Sequence, residues 1–321
     1  MQKRHAEALC ALEKALSIDV ADKETNRNID ETYADITQWC LVSRYKSHHG
    51  KFPRLNPPVS FNERILHRII YDRDPQLKCF CDKLATKYYV EECLGHERVV
   101  PLLGVWQDPQ EIAWCNLPHK FVIKPNHSSG DFWIVDQEKG FDLVELVSVA
   151  QKWLAQDYFD RAPEWGYREL PRVLLAEPFL CSPSGGKVPE MEVYTFHGVA
   201  KLISVSIGVK GAPDDAEYWN DRNGRRLNIK KGLPTTDVPL KREDRELAIQ
   251  LAEQLSKNVS SLRVDFYLTS DGLKVGELTP YTNGSLAPWE PKGVDDLLGR
   301  LWDPDYDFSR LFEDVDAFVA K

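Results

Sequence analysis

No apolar run in this 321-residue chain approaches the length of a membrane-spanning helix. The first residues, Met1-Gln2-Lys3-Arg4-His5-Ala6-Glu7, carry no apolar signal-peptide core, so a cytoplasmic protein without membrane insertion is expected. Positive charge is in deficit: 41 Lys and Arg against 50 Asp and Glu leave a net charge of −9. That balance argues against nucleic acid or an anionic membrane as the main partner, and any cationic site has to be local. Seven cysteines form no framework. Cys79 and Cys81 lack the second ligand pair that a zinc site needs, and an odd count fits reduced thiols. Also missing are internal repeats, low-complexity tracts, a G-x-x-x-x-G-K-S/T phosphate loop and a Ser/His/Asp or Cys/His constellation. His127 and His197 read as loop and turn residues rather than general bases.

Apolar residues make up 42% of the chain and charged residues 28%, a soluble globular balance with length for one large domain or two lobes. Helical spacing appears at 5–18 (Ala8, Leu9, Leu12, Leu16), a polar stretch covers 19–31, and a second helix runs over about 31–47. After a Pro-rich connection at 50–58, Ser60 and Glu63 form a capping-box pattern ahead of Ile65, Leu66, Ile69 and Ile70. Asp82 caps the next helix, which ends at Gly95. Strands are expected at 98–103, 120–125, 132–135 and 172–177, with a hairpin at 191–196 and 199–206. Helices are expected at 141–158 and 241–257, and a disordered-looking Asp/Asn/Gly-rich loop at 211–226. The class is α+β with mostly antiparallel pairing, since the regular βαβ rhythm of a doubly wound sheet is absent.

The most informative segment is Leu262–Thr279. Ser270-Asp271-Gly272 suits a three-residue hairpin loop closed by Gly272 at positive φ, pairing Thr269 with Leu273. Asp265 then lies opposite Glu277, and Arg263 opposite Thr279, all on one face; Leu262, Val264, Phe266 and Leu278 take the other. Facing like charges destabilise a sheet by about 0.2–1 kcal/mol. Either a Mg²⁺ ion offsets them, or the face is simply solvated with Arg263 as counter-charge.

Two weaker signals lie upstream. Lys124 ends the apolar strand Phe121-Val122-Ile123 and precedes the polar loop Asn126-His127-Ser128-Ser129-Gly130, a lysine-plus-loop arrangement that suits phosphate; a solvated strand end is the plainer alternative. In Leu174-Leu175-Ala176-Glu177-Pro178-Phe179-Leu180, Pro178 marks a strand edge or end. Free backbone groups there suit an adenine edge, or the segment is an ordinary terminus.

Taken in order, these pieces resemble the ATP-grasp superfamily, in its TupA-like branch associated with teichuronopeptide and polysaccharide biosynthesis. The resemblance rests on Val59-Ser60-Phe61-Asn62-Glu63-Arg64 with Tyr71-Asp72-Arg73-Asp74-Pro75, Cys81-Asp82-Lys83, Val100–Trp106, Leu117–Gly130, Ala176–Leu180, Arg263–Tyr267 and Gly276–Thr279. It spans about residues 50–290. It implies an ATP-grasp fold in which two α/β lobes clamp ATP: a helical region at 1–80, an N-terminal lobe with a phosphate flap at 81–176, and a C-terminal lobe with the metal hairpin at 177–321. It also implies roles. Lys83 and Lys124 would bind phosphates, Ser128, Ser129 and Gly130 would form the flap, and Glu177 with the Phe179–Leu180 backbone would hold adenine. Asp265, Glu277 and Thr279 would serve Mg²⁺, and Arg263 with Lys124 would act on the reacting groups.

The implied activity is an ATP-dependent carboxylate–amine ligase. It would form an amide through an acyl phosphate and release ADP and phosphate. Its partners would be a small-molecule or glycan-linked carboxylate and an amine, in polysaccharide or natural-product biosynthesis. A kinase of a hydroxyl acceptor and a catalytically weak nucleotide-binding module remain alternatives. The chain departs from the resemblance in a glycine-poor flap, where Asp131, Phe132 and Trp133 follow Gly130. It also reads Glu190-Met191-Glu192 where Asp-Tyr-Lys is usual. Glu192 either recognises an amine or weakens catalysis, with Lys201 on the same hairpin face replacing part of the lost charge. Asn283, Gly284 and Ser285 are the remaining substrate candidates, or a plain turn.

Overall fold

The computed structural model describes residues 23–182, 188–207, 216–230, 240–311 and 313–314. The expected helix at 5–18 and the first part of the 211–226 loop lie outside them. The chain divides into two compact units at Arg54/Leu55. In the first, helix α1 (Lys23–His49) starts well before residue 31, so the polar stretch after 22 is helix rather than connection.

The second unit opens on α2 (Phe61–Tyr71), whose capping box forms as expected: Ser60 accepts from the Glu63 N–H, and Glu63 Oε2 accepts from the Ser60 N–H at 3.1 Å. Its first-turn Asn62 donates to the Ala287 carbonyl at 3.0 Å. Asp74 caps a short helix α3 (Pro75–Cys81), and Asp82 caps α4 (Lys83–Leu94), which stops at Gly95 with φ 95°. The strand expected at 98–103 does not form. His96–Arg98 is a 3₁₀ turn, Val99 makes a single parallel bridge to Val275, and the next strand begins only at β1 (Gly104–Trp106), because Pro101 interrupts the apolar run.

Strands β2 (Lys120–Pro125), β3 (Trp133–Asp136) and β4 (Leu174–Pro178) complete a four-stranded antiparallel sheet in the order β1-β4-β2-β3. Its alternating side chains put Phe121, Ile123, Leu174 and Ala176 against Leu146 and Ala150 of helix α5 (Leu143–Ala155). That leaves Lys124, Leu175 and Glu177 on the opposite face. Helix α6 (Tyr158–Arg161) follows α5.

The second sheet is six-stranded and antiparallel, in the order β10-β9-β5-β6-β7-β8. It comprises β5 (Glu190–Phe196), β6 (Val199–Ile207), β7 (Ala216–Asp221), β8 (Arg226–Leu227), β9 (Ser261–Thr269) and β10 (Gly272–Thr279). Much of the expected loop is therefore strand: Tyr218 and Trp219 are buried, and apolar burial overrides the turn-rich composition. One face packs Met191, Val193, Ile203, Val264, Phe266 and Leu278 against α4 and helix α7 (Arg242–Leu255). The other face carries Phe196 and Tyr194 in an aromatic cluster with Phe61, Trp219, Trp289 and Trp302, beside helix α8 (Val294–Leu301). Beyond the cluster the same face becomes charged.

The β9–β10 hairpin closes one residue earlier than expected. Gly272, at φ 92°, pairs with Thr269, so the loop holds two residues. The slip would turn Glu277 away from Asp265. A bulge at Gly276 absorbs it and restores the Asp265–Glu277 and Arg263–Thr279 pairs. A Cβ on Gly276 would meet the Tyr267 ring at 2.6 Å. Gly276→Ala should therefore destabilise the protein by about 1–3 kcal/mol, the usual penalty of overpacking, as read by denaturant unfolding. An unchanged midpoint would show that the bulge tolerates a side chain.

Candidate active site

Two clusters of charged side chains stand out, and Lys83 lies within electrostatic reach of acids in both. The first is built on Glu177. β1 pairs with β4 only as far as Ala176, so Glu177 and the segment beyond it lie past the end of β1. The Glu177 side chain, 8% exposed, meets Lys124 Nζ and Lys87 Nζ, each at 2.8 Å. Burial works to raise this carboxyl, but Lys124 and Lys87 outweigh it and hold it below the ordinary range. Lys124 is therefore not a solvated strand end. Lys87, which also donates to the Val100 carbonyl at 2.7 Å, was not among the expected residues. Its spacing four residues after Lys83, on the same helix face, was the available signal.

Lys83, the first residue of α4, donates to the Ser128 carbonyl. Burial lowers its ammonium, and Lys124 adds to this against the pull of Glu277 and Glu177. This puts Lys83 within electrostatic reach of Glu177 on the first sheet and Glu277 on the second.

The loop after β2 is held more firmly than a free flap. Asn126 donates to Asp82 Oδ1 at 2.9 Å and accepts from the Val173 N–H at 2.9 Å. His127 is buried, with Nε2 3.1 Å from the Trp153 carbonyl, which makes it a structural residue. Ser128 is buried, whereas Ser129 and Gly130 are exposed, and the Arg161 guanidinium ties the tip through Asp131 at 2.7 Å and the Ser129 carbonyl at 3.1 Å. The expected flap residues thus divide between a fixed base and a tethered tip. Phe179 and Leu180, half-buried, follow the last β4 pair, and the Lys120 ammonium lies 4.1 Å from the Phe179 ring centre.

The second cluster is a row of three carboxylates: Glu192 on β5 lies opposite Asp265 on β9, which lies opposite Glu277 on β10. Arg263 grips Asp265 with both arms, at 2.7 and 2.6 Å, donates to Thr279 Oγ1 at 3.2 Å and lies 3.6 Å from Glu192. The Tyr194 hydroxyl donates to Glu192 at 3.0 Å. Glu277 makes no hydrogen bond or ion pair among the described residues. Burial pushes the Asp265 carboxyl from 3.8 up to about 7 despite Arg263, with Glu192 and Glu277 pushing the same way. The guanidinium keeps its charge, so the carboxyl is the member of the pair that titrates. One arginine does not neutralise three half-buried acids, and the hard oxygen donors suit Mg²⁺. No group of three His, Cys, Asp or Glu side chains among the described residues converges as a ready-made metal cage. Asp265 and Glu277 fit the ion chemically, with Thr279 engaged by Arg263.

The remaining substrate candidates separate. Lys201 sits at the bulge where β5 and β6 slip register, and its ammonium is lowered by burial and by Arg222, which pairs with Glu253 of α7. It is not on the face of Glu192, and a hairpin read without its bulge places it wrongly. Asn283, Gly284 and Ser285 form a turn with three successive positive φ values of 50°, 56° and 68°. Asn283 is exposed, Ser285 is buried, and a Cβ at Gly284 would meet Glu164 at 2.8 Å.

The TupA-like ATP-grasp family matches over residues 63–302. The chain belongs to that family. No curated protein matches it. Solved structures similar to it include the D-alanine–D-alanine ligase of Bacillus anthracis complexed with ATP (15% identity, 75% of this chain and 65% of that one, TM-score 0.39) and that of Helicobacter pylori (16%, 74% and 58%, 0.38). The ATP-grasp ligase PsnB with minimal precursor, Mg and ADP is a third (11%, 95% and 74%, 0.42). The chain thus spans less than two thirds of the length of both D-alanine–D-alanine ligases. No described helix of this family member is long and apolar enough to cross a membrane, and the six described cysteines are free.

The raised Asp265 carboxyl has a signed consequence. The native state binds this proton more tightly than the unfolded chain, so its stabilisation is complete below about pH 4 and is lost as pH rises through about 7. A Mg²⁺ ion held by Asp265 would compete with that proton. In melting experiments, Mg²⁺ should stabilise the protein more at about pH 8 than at about pH 5, and Asp265→Asn should remove the difference. A pH-independent Mg²⁺ response would contradict the assignment.

Proposed function

We propose that this family member is an ATP-dependent carboxylate–amine ligase. The observation that carries the reading is that Lys83 interacts electrostatically both with Lys124 and Glu177 of the first sheet and with Glu277, the cross-strand neighbour of Asp265. A carboxylate resists direct attack by an amine because oxide is a poor leaving group. When a carboxylate oxygen attacks the γ-phosphorus of ATP, the bond to the β,γ-bridging oxygen breaks and ADP leaves. The amine then attacks the acyl carbon of the resulting acyl phosphate, and inorganic phosphate departs. Charge spreads over the phosphoryl oxygens during transfer, so catalysis is positioning plus cation clamping and needs no protein nucleophile.

Lys83 and Lys124 hold the phosphates in this reading. Lys124 exchanges Glu177 for phosphate, and Lys87 stays to keep the Glu177 carboxylate ionised and facing the adenine amino group. The Phe179–Leu180 backbone, past the end of β1, takes the ring edge. Asp265 and Glu277 hold Mg²⁺, which supplies charge neutralisation at the phosphates, and Thr279 contributes through water or substrate. Arg263 faces the oxyanion that develops at the acyl carbon. Ser128, Ser129 and Gly130 cover the phosphates, and Asn283 is the exposed substrate contact of its turn. The acid is a small molecule or glycan-linked, and the amine an amino acid or amino sugar. The tethered loop tip supports a second reading, a nucleotide-binding module with weak turnover.

The test is product release. ADP and free phosphate should form together only when acid and amine are both present. Mg·ATP binding without turnover across a broad panel of pairs would favour the second reading, and acceptor-dependent ADP without free phosphate would favour a kinase. Glu277→Gln should lower turnover by at least about a hundredfold while leaving the melting temperature nearly unchanged, since Glu277 has no partner to lose. Lys124→Ala should weaken ATP binding and also cost about 1–3 kcal/mol of stability, because Glu177 stays buried with one cation fewer. Calorimetry with ATP and denaturant unfolding read the two effects separately.

A further inference from the structure

A second cavity lies apart from the charged cleft. It measures about 390 Å³ and is lined by Arg64, His67, Arg68, Tyr71, Asp72 and Trp302, among others. Three of its groups are already engaged. Arg68 is buried, donates to the carbonyls of Ser261 at 2.7 Å and Pro280 at 3.1 Å, and stacks over the Trp302 ring at 4.5 Å. Asp72 lies 3.7 Å from Arg68 Nε. The His67 ring packs on Tyr71 at 4.7 Å.

Arg64 differs. Its Nε is buried without a hydrogen-bond partner, and the side chain makes no hydrogen bond or ion pair among the described residues. Asp303 attracts it from a distance without pairing, and burial lowers its pKa. A guanidinium partly removed from water without a counter-ion is costly, and five N–H donors in a fixed fork match an oxyanion. Beside it, Tyr71 remains about half exposed, a ring on which a flat apolar body can rest.

We infer that this cavity is a binding site for an oxyanion, a carboxylate or a phosphate, held by Arg64, with the body of the ligand against Tyr71. Asp72 and Asp303 limit the excess positive charge at the site and suit hydroxyl or amide hydrogens on the same ligand. The floor connects to the active site through Arg68, since Ser261 lies two residues before Arg263 on β9 and Pro280 directly follows Thr279. The ligand therefore sits at the strand ends that carry the metal hairpin, roughly 7 Å along β9 from Arg263. The inference does not depend on the ligase reading.

The test uses the full chain with glucuronate, inorganic phosphate and neutral glucose as probes, followed by melting temperature and tryptophan fluorescence. Glucuronate or phosphate should raise the melting temperature saturably, and glucose should not. Comparison of the first two tells which oxyanion the site prefers. Arg64→Gln should abolish that rise, weaken binding at least about tenfold, and leave Mg·ATP binding as in the parent protein. Without ligand, Arg64→Gln should melt at the same temperature or higher, because it removes an unpaired charge. The inference is overturned if neither anion binds at millimolar concentration, if glucose binds equally well, or if the variant keeps the anion response. A lower melting temperature for ligand-free Arg64→Gln would also overturn it, by revealing a structural partner. Arg64→Lys, which keeps the charge and loses the fork, should retain part of the response.

Discussion

Four carboxylates and four cations, buried or half-buried, form one linked series of electrostatic interactions, and their neighbours are arranged around keeping them compensated. Glu177, Glu192, Asp265 and Glu277 are the acids; Lys83, Lys87, Lys124 and Arg263 are the bases. Isolated burial of any of them would cost several kcal/mol. Their distribution is uneven, though. Lys124 of the first sheet and Lys83 and Lys87 of α4 gather about Glu177, and the second sheet gathers three acids about Arg263. The lysine side thus carries an excess of positive charge and the acid side an excess of negative charge, and under the proposed function a nucleoside triphosphate with its metal would offset both.

That arrangement depends on backbone devices remote from the chemistry. The bulge at Gly276 decides whether Glu277 faces Asp265 or the apolar core, since a one-residue slip exchanges the two faces of a strand. Arg68 holds the base of the hairpin by donating to the carbonyl of Ser261, the first residue of β9, and to that of Pro280, just past β10, and its own helix is anchored by the Ser60–Glu63 capping box and by Asn62. The Ser60–Arg64 motif is thereby a structural support for the site rather than a member of it, with Arg64 as the exception. On the other sheet, Asp82 caps α4 and also accepts from Asn126, so one carboxylate sets the helix that presents Lys83 and Lys87 and the loop that faces them.

Local rules made much of this legible in the sequence. Caps at Ser60 and Asp82, the strand 120–125 and the existence of the β5–β6 and β9–β10 hairpins follow from side-chain periodicity and capping, which act over a few residues. What was not legible depends on contacts distant in sequence. β7 forms because Tyr218 and Trp219 find a buried place beside β6, although their neighbours read as loop. Lys87 pairs with a glutamate 90 positions away. Lys201 leaves the expected face because of a bulge that no residue type announces. The hairpin register was inferred from a loop one residue too long, and only the bulge returned it to the same answer.

The exchange of sign at Glu192 bears on what the site accepts. A lysine there would sit opposite Asp265 and share its neutralisation with Arg263. Glutamate instead places a second acid against the same guanidinium, at 3.6 Å, and takes a hydrogen bond from Tyr194. Arg263 is then divided between two acids, and less of its charge remains to meet an anionic substrate group. Positive charge has to come from the ligands, as a divalent ion or as the ammonium of an amine. If the substrate acid also needs a cation at some distance from the phosphates, the unpaired Arg64 beyond the strand ends is placed to provide it. On electrostatic grounds, then, the proposed ligase reading would put the amine on the face holding Glu192 and the acid towards Arg64.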